Sequence, residues 1–250
     1  GKPTPRHLWL AMLLGVPAAA APAVAGSPAG GGKDPATPLR FELVLSDDAA
    51  RAVRALGLEV PVTGRAFIIV TRDSATEPRR QVGVTGVPFW GVDVRGLAGG
   101  DVVALEDGGA DVVGYPLERL SELPAGDYYV QAFLSVYTTF RRADGHVLEL
   151  HHETGEGQNL WISPGNVHSV VQRVRIDPAA GGTVRLVLSH AIPPIEAVPP
   201  GGVLQLGNPT DTDRVKYVKI RSGRVSEFWG RDMYIGANVL LPRGWGEDPD

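Results

Sequence analysis

The longest regular pattern in the chain lies between residues 128 and 140. There Tyr128, Val130, Ala132, Leu134, Val136 and Phe140 alternate with Tyr129, Gln131, Phe133, Ser135, Tyr137 and Thr139. A strand sends successive side chains to opposite faces, so this period predicts a central β-strand with one apolar face and one aromatic and polar face. Leu39–Leu45 also alternates and reads as the first strand. Residues 65–71 are a continuous apolar run of strand length, the mark of a strand buried on both faces. Shorter strands are predicted at 87–94 and 101–105, separated by Leu97-Ala-Gly-Gly100. Residues 146–150 follow the Ala143-Asp-Gly145 turn as a hairpin partner of the central strand. Val170, Val174 and Ile176 predict one face of a further strand, and Val184, Leu186 and Leu188 one face of another. A single short helix is predicted where Ser46 caps Ala49, Val53 and Leu56 at helical spacing, with Gly57 as its stop.

Leu123-Pro-Ala-Gly126-Asp-Tyr128 precedes the central strand with the spacing of a tyrosine corner, in which the hydroxyl returns to backbone a few residues upstream. Leu123, Gly126 and Tyr128 are then structural residues; the plainer reading is an ordinary strand after a Pro-Gly turn. Strand signals recur roughly every 8–12 residues with turn residues between them. The fold class predicted is all-β, an Ig-like Greek-key β-sandwich over residues 39–191. Gly 32 and Pro 21 among 250 residues agree with many turns and short strands.

Outside the periodic part, composition marks boundaries. Lys2, Arg6 and His7 precede the apolar run Leu8-Trp-Leu-Ala-Met-Leu-Leu-Gly-Val16, and a small-residue stretch ends at Ala23-Val-Ala25. This is the anatomy of a secretory signal peptide over residues 1–25, and it predicts an exported, secreted or periplasmic chain. Pro17, Pro22 and the short core argue against the competing reading, a transmembrane anchor. Loss of Lys2 and Arg6 would take the net charge from −4 to −6. Residues 26–38 read as a flexible linker, and residues 192–212, rich in Pro and Gly, as a second one. Beyond it, Val215-Lys-Tyr-Val-Lys-Ile220 slips its apolar phase between Tyr217 and Val218, which predicts a bulge. Met233, Ile235, Ala237, Val239 and Leu241 then alternate up to Pro242. The polar ending Trp245-Gly-Glu-Asp-Pro-Asp250 reads as a chain that continues into a larger protein.

Phe228-Trp-Gly-Arg-Asp-Met-Tyr-Ile-Gly-Ala-Asn-Val-Leu-Leu-Pro-Arg-Gly244 resembles the entry to the hydrolase domain of secreted esterases of the esterase D/enterochelin-esterase type. Val239-Leu-Leu-Pro-Arg-Gly-Trp245 is similar to the V-x-L-P-x-G-Y phrase of that family, with Trp245 in place of tyrosine. Residues 88–94 and 123–132 also resemble the β-sandwich placed before such domains. The resemblance implies that residues 213–250 are the first strands of an α/β-hydrolase domain, which would be the partner of the preceding sandwich. It implies catalysis elsewhere: a G-x-S-x-G elbow holds the nucleophile in that fold, and none occurs here. No catalytic residue is therefore assigned. The other expectation is a self-contained secreted module that binds carbohydrate or another cell-surface polymer.

Candidate chemistry is sparse. With no cysteine, disulfides, thiolate metal sites and cysteine nucleophiles are excluded. An acidic net charge gives no footprint for nucleic acid. Gly30-Gly-Gly-Lys33 lacks the phosphate-binding pattern, no cofactor motif is present, and no cofactor is expected. Arg214, Lys216, Lys219, Arg221 and Arg224 read as a solvated face. His146, His151, His152 and His168 fall near Glu149, Glu153 and Glu156. The weak metal candidates among them are His152, Glu153 and His168, set against the plainer reading of an exposed polar hairpin edge. Phe89, Trp90, Tyr129, Phe133, Tyr137 and Trp161 form a second cluster, a possible docking or ligand face. Such rings either stack on sugars or fill the second face of the sheet under a domain or a long loop.

Overall fold

Strand β1 (Leu39–Leu45) buries every odd residue, Leu39, Phe41, Leu43 and Leu45, as its alternation requires. The computed structural model describes residues 38–109, 111–151, 159–194 and 211–246. Helix α1 (Asp47–Ala55) follows at once, with the Ser46 hydroxyl accepting from the Ala49 amide at 3.1 Å and Asp47 and Asp48 in the first turn. This is the expected cap, with carboxylates at the positive end of the helix dipole. Then come β2 (Val62–Thr71), β3 (Phe89–Leu97), β4 (Val102–Glu106), β5 (Val113–Tyr115) and β6 (Gly126–Arg141). They are followed by β7 (Val147–His151), β8 (Val167–His168), β9 (Gln172–Ile176), β10 (Gly182–Leu188) and β11 (His190–Ala191). The last elements are β12 (Val215–Arg221), helix α2 (Gly223–Trp229) and β13 (Tyr234–Leu240). The chain is mostly β, as the periodicity requires.

A small sheet has the order β10-β1-β4, with β1 parallel to β10 and antiparallel to β4. A large sheet is built on β6, which at 16 residues reaches about 50 Å. One edge of β6 pairs with β2, which continues to β3 and β5. The other edge is shared end to end: β9 pairs residues 126–130, β8 pairs 133–134 and β7 pairs 137–141. The inner faces of the two sheets meet in one core. Phe41, Leu43, Leu186 and Leu105 of the small sheet join Ile68, Val70, Trp90, Val130, Ala132 and Leu134 of the large one, with Ala49 and Val53 of α1. Apolar burial on this scale is the main driving force for the fold.

The opposite face of the large sheet is not open. Phe67, Ile69, Phe133 and Ile192 form a second buried cluster under Val82, Val87, Leu160 and Trp161, which come from the segments before β3 and before β8. This explains why residues 65–71 carry no alternation: β2 is covered on both sides.

Several expectations are corrected. Val170 lies outside β9 and is exposed, so it does not share a face with Val174 and Ile176. The bulge expected between Tyr217 and Val218 is absent, because β12 and β13 pair in unbroken register from Val215 to Arg221. Both faces of that hairpin are largely exposed, so apolar residues on both need no extra residue to re-aim them. The register shift that does occur lies in β2, between Val62 and Gly64. Helix α2 is an element the sequence pattern does not announce, started by the Ser222 side chain and ended by Gly230 at φ 67°. No helix among the described residues is long and apolar enough to cross a membrane.

Candidate functional site

Most of the buried polar side chains among the described residues, Arg79, Gln131, Ser135, Ser163, Asn166 and Ser169, gather where β6 changes partners. At such a junction the ladder is incomplete, and each strand amide left over needs another acceptor. The Ala132 amide donates to the Ser169 hydroxyl at 2.9 Å, and the Val136 amide to Asn166 Oδ1 at 2.8 Å. Gln131 is held from both ends, with Oε1 accepting from the Arg79 amide at 3.1 Å and Nε2 donating to the Ser169 carbonyl at 3.1 Å. Arg79 is itself buried, its guanidinium paired with Glu77 at 2.6 Å and donating to the Trp161 carbonyl. Burial lowers its pKa, an effect that Glu77 opposes. The arrangement ties the covering segments to the sheet, and it is spent on itself.

One serine–histidine pair lies here. His151 Nε2 is 3.0 Å from the Ser163 hydroxyl, and its Nδ1 is 3.4 Å from the Ser135 hydroxyl. Ser163 gives its own proton to the Asn159 carbonyl at 3.0 Å, so the imidazole must donate to Ser163 rather than accept from it. A nucleophilic serine requires the reverse. Ser163 is also fully buried. The pair holds the segment before β8 against β6 and does not form an acyl-transfer dyad.

The metal candidates divide between described and undescribed residues. His152 and Glu153 lie outside the described residues. His168 is on β8, half-buried, and its neighbour across the strands is His190 of β11. Their rings lie parallel, 5.4 Å apart between centroids with 17° between planes. His168 Nδ1 is 3.0 Å from the Ser169 carbonyl and 3.4 Å from Gln131 Nε2. A carbonyl only accepts and the anchored amide nitrogen only donates, so the shorter contact makes Nδ1 the protonated nitrogen. Burial lowers the pKa of this ring below the ordinary histidine value. His146 is separate, on an exposed turn beside Asp144. His190 was not legible as a partner, since only the antiparallel register brings it opposite His168.

The aromatic cluster divides as well. Trp90 is fully buried in the main core and does not belong to the second face. Phe133 is fully buried on that face, with the Trp161 ring 4.9 Å away; Phe67 lies 5.3 Å and Phe89 6.2 Å from Trp161. Tyr129 and Tyr137 flank the cluster half-buried, and burial raises the Tyr137 pKa. The rings are used against one another, in tilted and edge contacts. Of the structural trio, Leu123 is buried, Gly126 approaches Arg72, and the Tyr128 hydroxyl donates to the Pro124 carbonyl at 2.6 Å.

The remaining candidate is a surface. In the β12–β13 hairpin, Val218, Ile220, Ile235, Ala237 and Val239 share one side, because Val218 pairs with Ala237 and Ile220 with Ile235. All seven residues of β13 are exposed. The hairpin is attached through α2: Trp229 packs edge-on to Phe140 at 5.4 Å, the Arg142 guanidinium lies over Phe228, and the Ala143 amide donates to the Phe228 carbonyl at 2.8 Å. Exposed apolar sheet faces commonly mark interaction surfaces rather than chemical centres. No protein-family profile, curated protein or solved structure matches the chain.

Proposed function

We propose that this chain is the non-catalytic N-terminal region of an exported serine esterase, an Ig-like Greek-key β-sandwich followed by the opening strands of an α/β-hydrolase domain. The observation that carries the reading is the β12–β13 hairpin. It displays five apolar residues on one side, with Lys216 beside Val239, and leads directly into Leu240-Leu-Pro-Arg-Gly-Trp245, the phrase that resembles the entry to such a domain. The downstream hydrolase domain would cover that side and extend the sheet. The Tyr128–Pro124 bond and the parallel β1–β10 pair beside antiparallel neighbours support the tyrosine corner and the sandwich. The signal-like pattern of residues 1–25 supports export. The role follows by analogy of fold: to pack beside the catalytic domain and shape access to it.

A self-contained carbohydrate module needs open ring faces, and the main ring cluster is consumed by packing. The test compares this chain with one extended through the reading frame beyond Asp250, on a chromogenic ester. The extended chain should turn the ester over and contain G-x-S-x-G, and replacing that serine by alanine should abolish turnover. A stop codon after Asp250, or turnover by this chain alone, would overturn the reading.

A further inference from the structure

We propose that His168 and His190 together form a two-imidazole site for a divalent transition-metal ion, with Cu2+ bound most tightly of the first row. They are directly opposed on paired strands, so their side chains leave the same face of the sheet at the same level. Neither ring has its Nε2 engaged by another described residue. The Nδ1–H of His168 is committed to the Ser169 carbonyl, which leaves Nε2 as the nitrogen with the lone pair. A backbone carbonyl holding the far nitrogen is the usual support of a ligating histidine, because it sets both tautomer and ring direction. His190 Nδ1 lies 2.8 Å from the Ser189 hydroxyl, which can accept its proton and leave the second Nε2 lone pair free.

The two rings differ in freedom. His168 is half-buried and anchored, whereas His190 is exposed. A shared ion about 2.0–2.1 Å from each nitrogen places the nitrogens no more than about 4.2 Å apart. Parallel rings at 5.4 Å reach that span when His190 turns about its terminal torsion, which is broad and soft, giving up its contact with the Ser189 hydroxyl for the ion. The charges facing His168 are Arg79 and Glu77, already paired with each other, so no uncompensated cation repels the ion. Burial keeps His168 neutral near pH 7, the form that ligates. Two imidazoles with water completing the shell suit copper, nickel or zinc rather than magnesium or calcium.

The test is titration of the chain with Cu2+ at pH 7.5, followed by calorimetry and by electron paramagnetic resonance. One ion should bind per chain with hyperfine structure from two imidazole nitrogens. His190→Ala, at an exposed position, should keep the parent melting temperature and weaken binding at least about tenfold, since the intramolecular second ligand is lost. His146→Ala should change nothing. The proposal is overturned if the parent takes up no Cu2+ at stoichiometric concentration, or if His190→Ala binds it as tightly as the parent. These outcomes are independent of whether an esterase domain follows.

Discussion

The Tyr128 hydroxyl donates to the Pro124 carbonyl at 2.6 Å while accepting from Arg72 Nη2 at 3.0 Å, and the Arg72 guanidinium sits 4.9 Å from the centre of the same ring. One phenol thus joins the turn before β6 to the end of β2. Tyr128→Phe keeps the buried ring and removes both bonds. The expected cost is about 1–2 kcal/mol in urea unfolding, because Pro124 is exposed and water can replace one partner. Parent-like stability would show that the hydroxyl contributes nothing.

Gly64 carries the register shift of β2. A Cβ there would stand 2.0 Å from the Ser135 carbonyl oxygen, backbone against backbone. Neither side can yield without moving a central strand, so Gly64→Ala should cost about 3 kcal/mol or more, at or beyond the top of the range for overpacking. Thermal melting of the purified variant, or its loss to inclusion bodies, measures this. Gly145, where nothing lies near a Cβ but φ is 87°, should show only the smaller backbone penalty.

His168 sets a pH dependence. Its folded pKa lies below its unfolded value near 6.5, because burial disfavours the imidazolium. The unfolded chain therefore binds the proton first as pH falls. Stability should be unaffected by this group above about pH 6.5 and should decline as pH drops through and below that value. Melting curves from pH 7.5 to pH 5 check the sign. His168→Gln should flatten the part of the slope due to this residue.

The hairpin depends on α2 for its attachment. Trp229 contacts Phe140, and Arg142 stands over both Phe228 and Trp229. Trp229→Ala should speed hydrogen exchange and proteolysis in β12 and β13 while leaving exchange in β2 and β6 unchanged. Equal acceleration in both regions would mean that the hairpin and the main sheets open as one unit.

The open face of the hairpin should also govern self-association. Ile235→Lys places a charge among Val218, Ile220, Ala237 and Val239. It should lower the association of the chain at high concentration, measured by light scattering, with little change in melting temperature, since Ile235 is already 51% exposed.

Elements with a sustained period were legible from the chain alone. β1 falls on its expected bounds, α1 on its serine cap, β6 on its alternation and β7 on the turn that precedes it, because in each the local pattern and the burial agree. The two-residue strands β8 and β11 have no period to read, and α2 is too short to show a face. The serine–histidine contact shows the same limit at the level of chemistry. His151 and Ser163 are easily noticed, but the direction of their hydrogen bond depends on the Asn159 carbonyl.

The alternation of apolar and polar residues was enough to make this protein β-rich, since strand faces are specified two residues apart along the chain. It also placed Tyr128 on the core face and Phe133 on the other. What covers that other face could not be read, because Trp161, Val87 and Ile192 reach it from segments with no periodicity of their own. The pairing of His168 with His190 likewise follows from the antiparallel register of two short strands. Local pattern decides which way a side chain points; only the tertiary structure decides what it meets there.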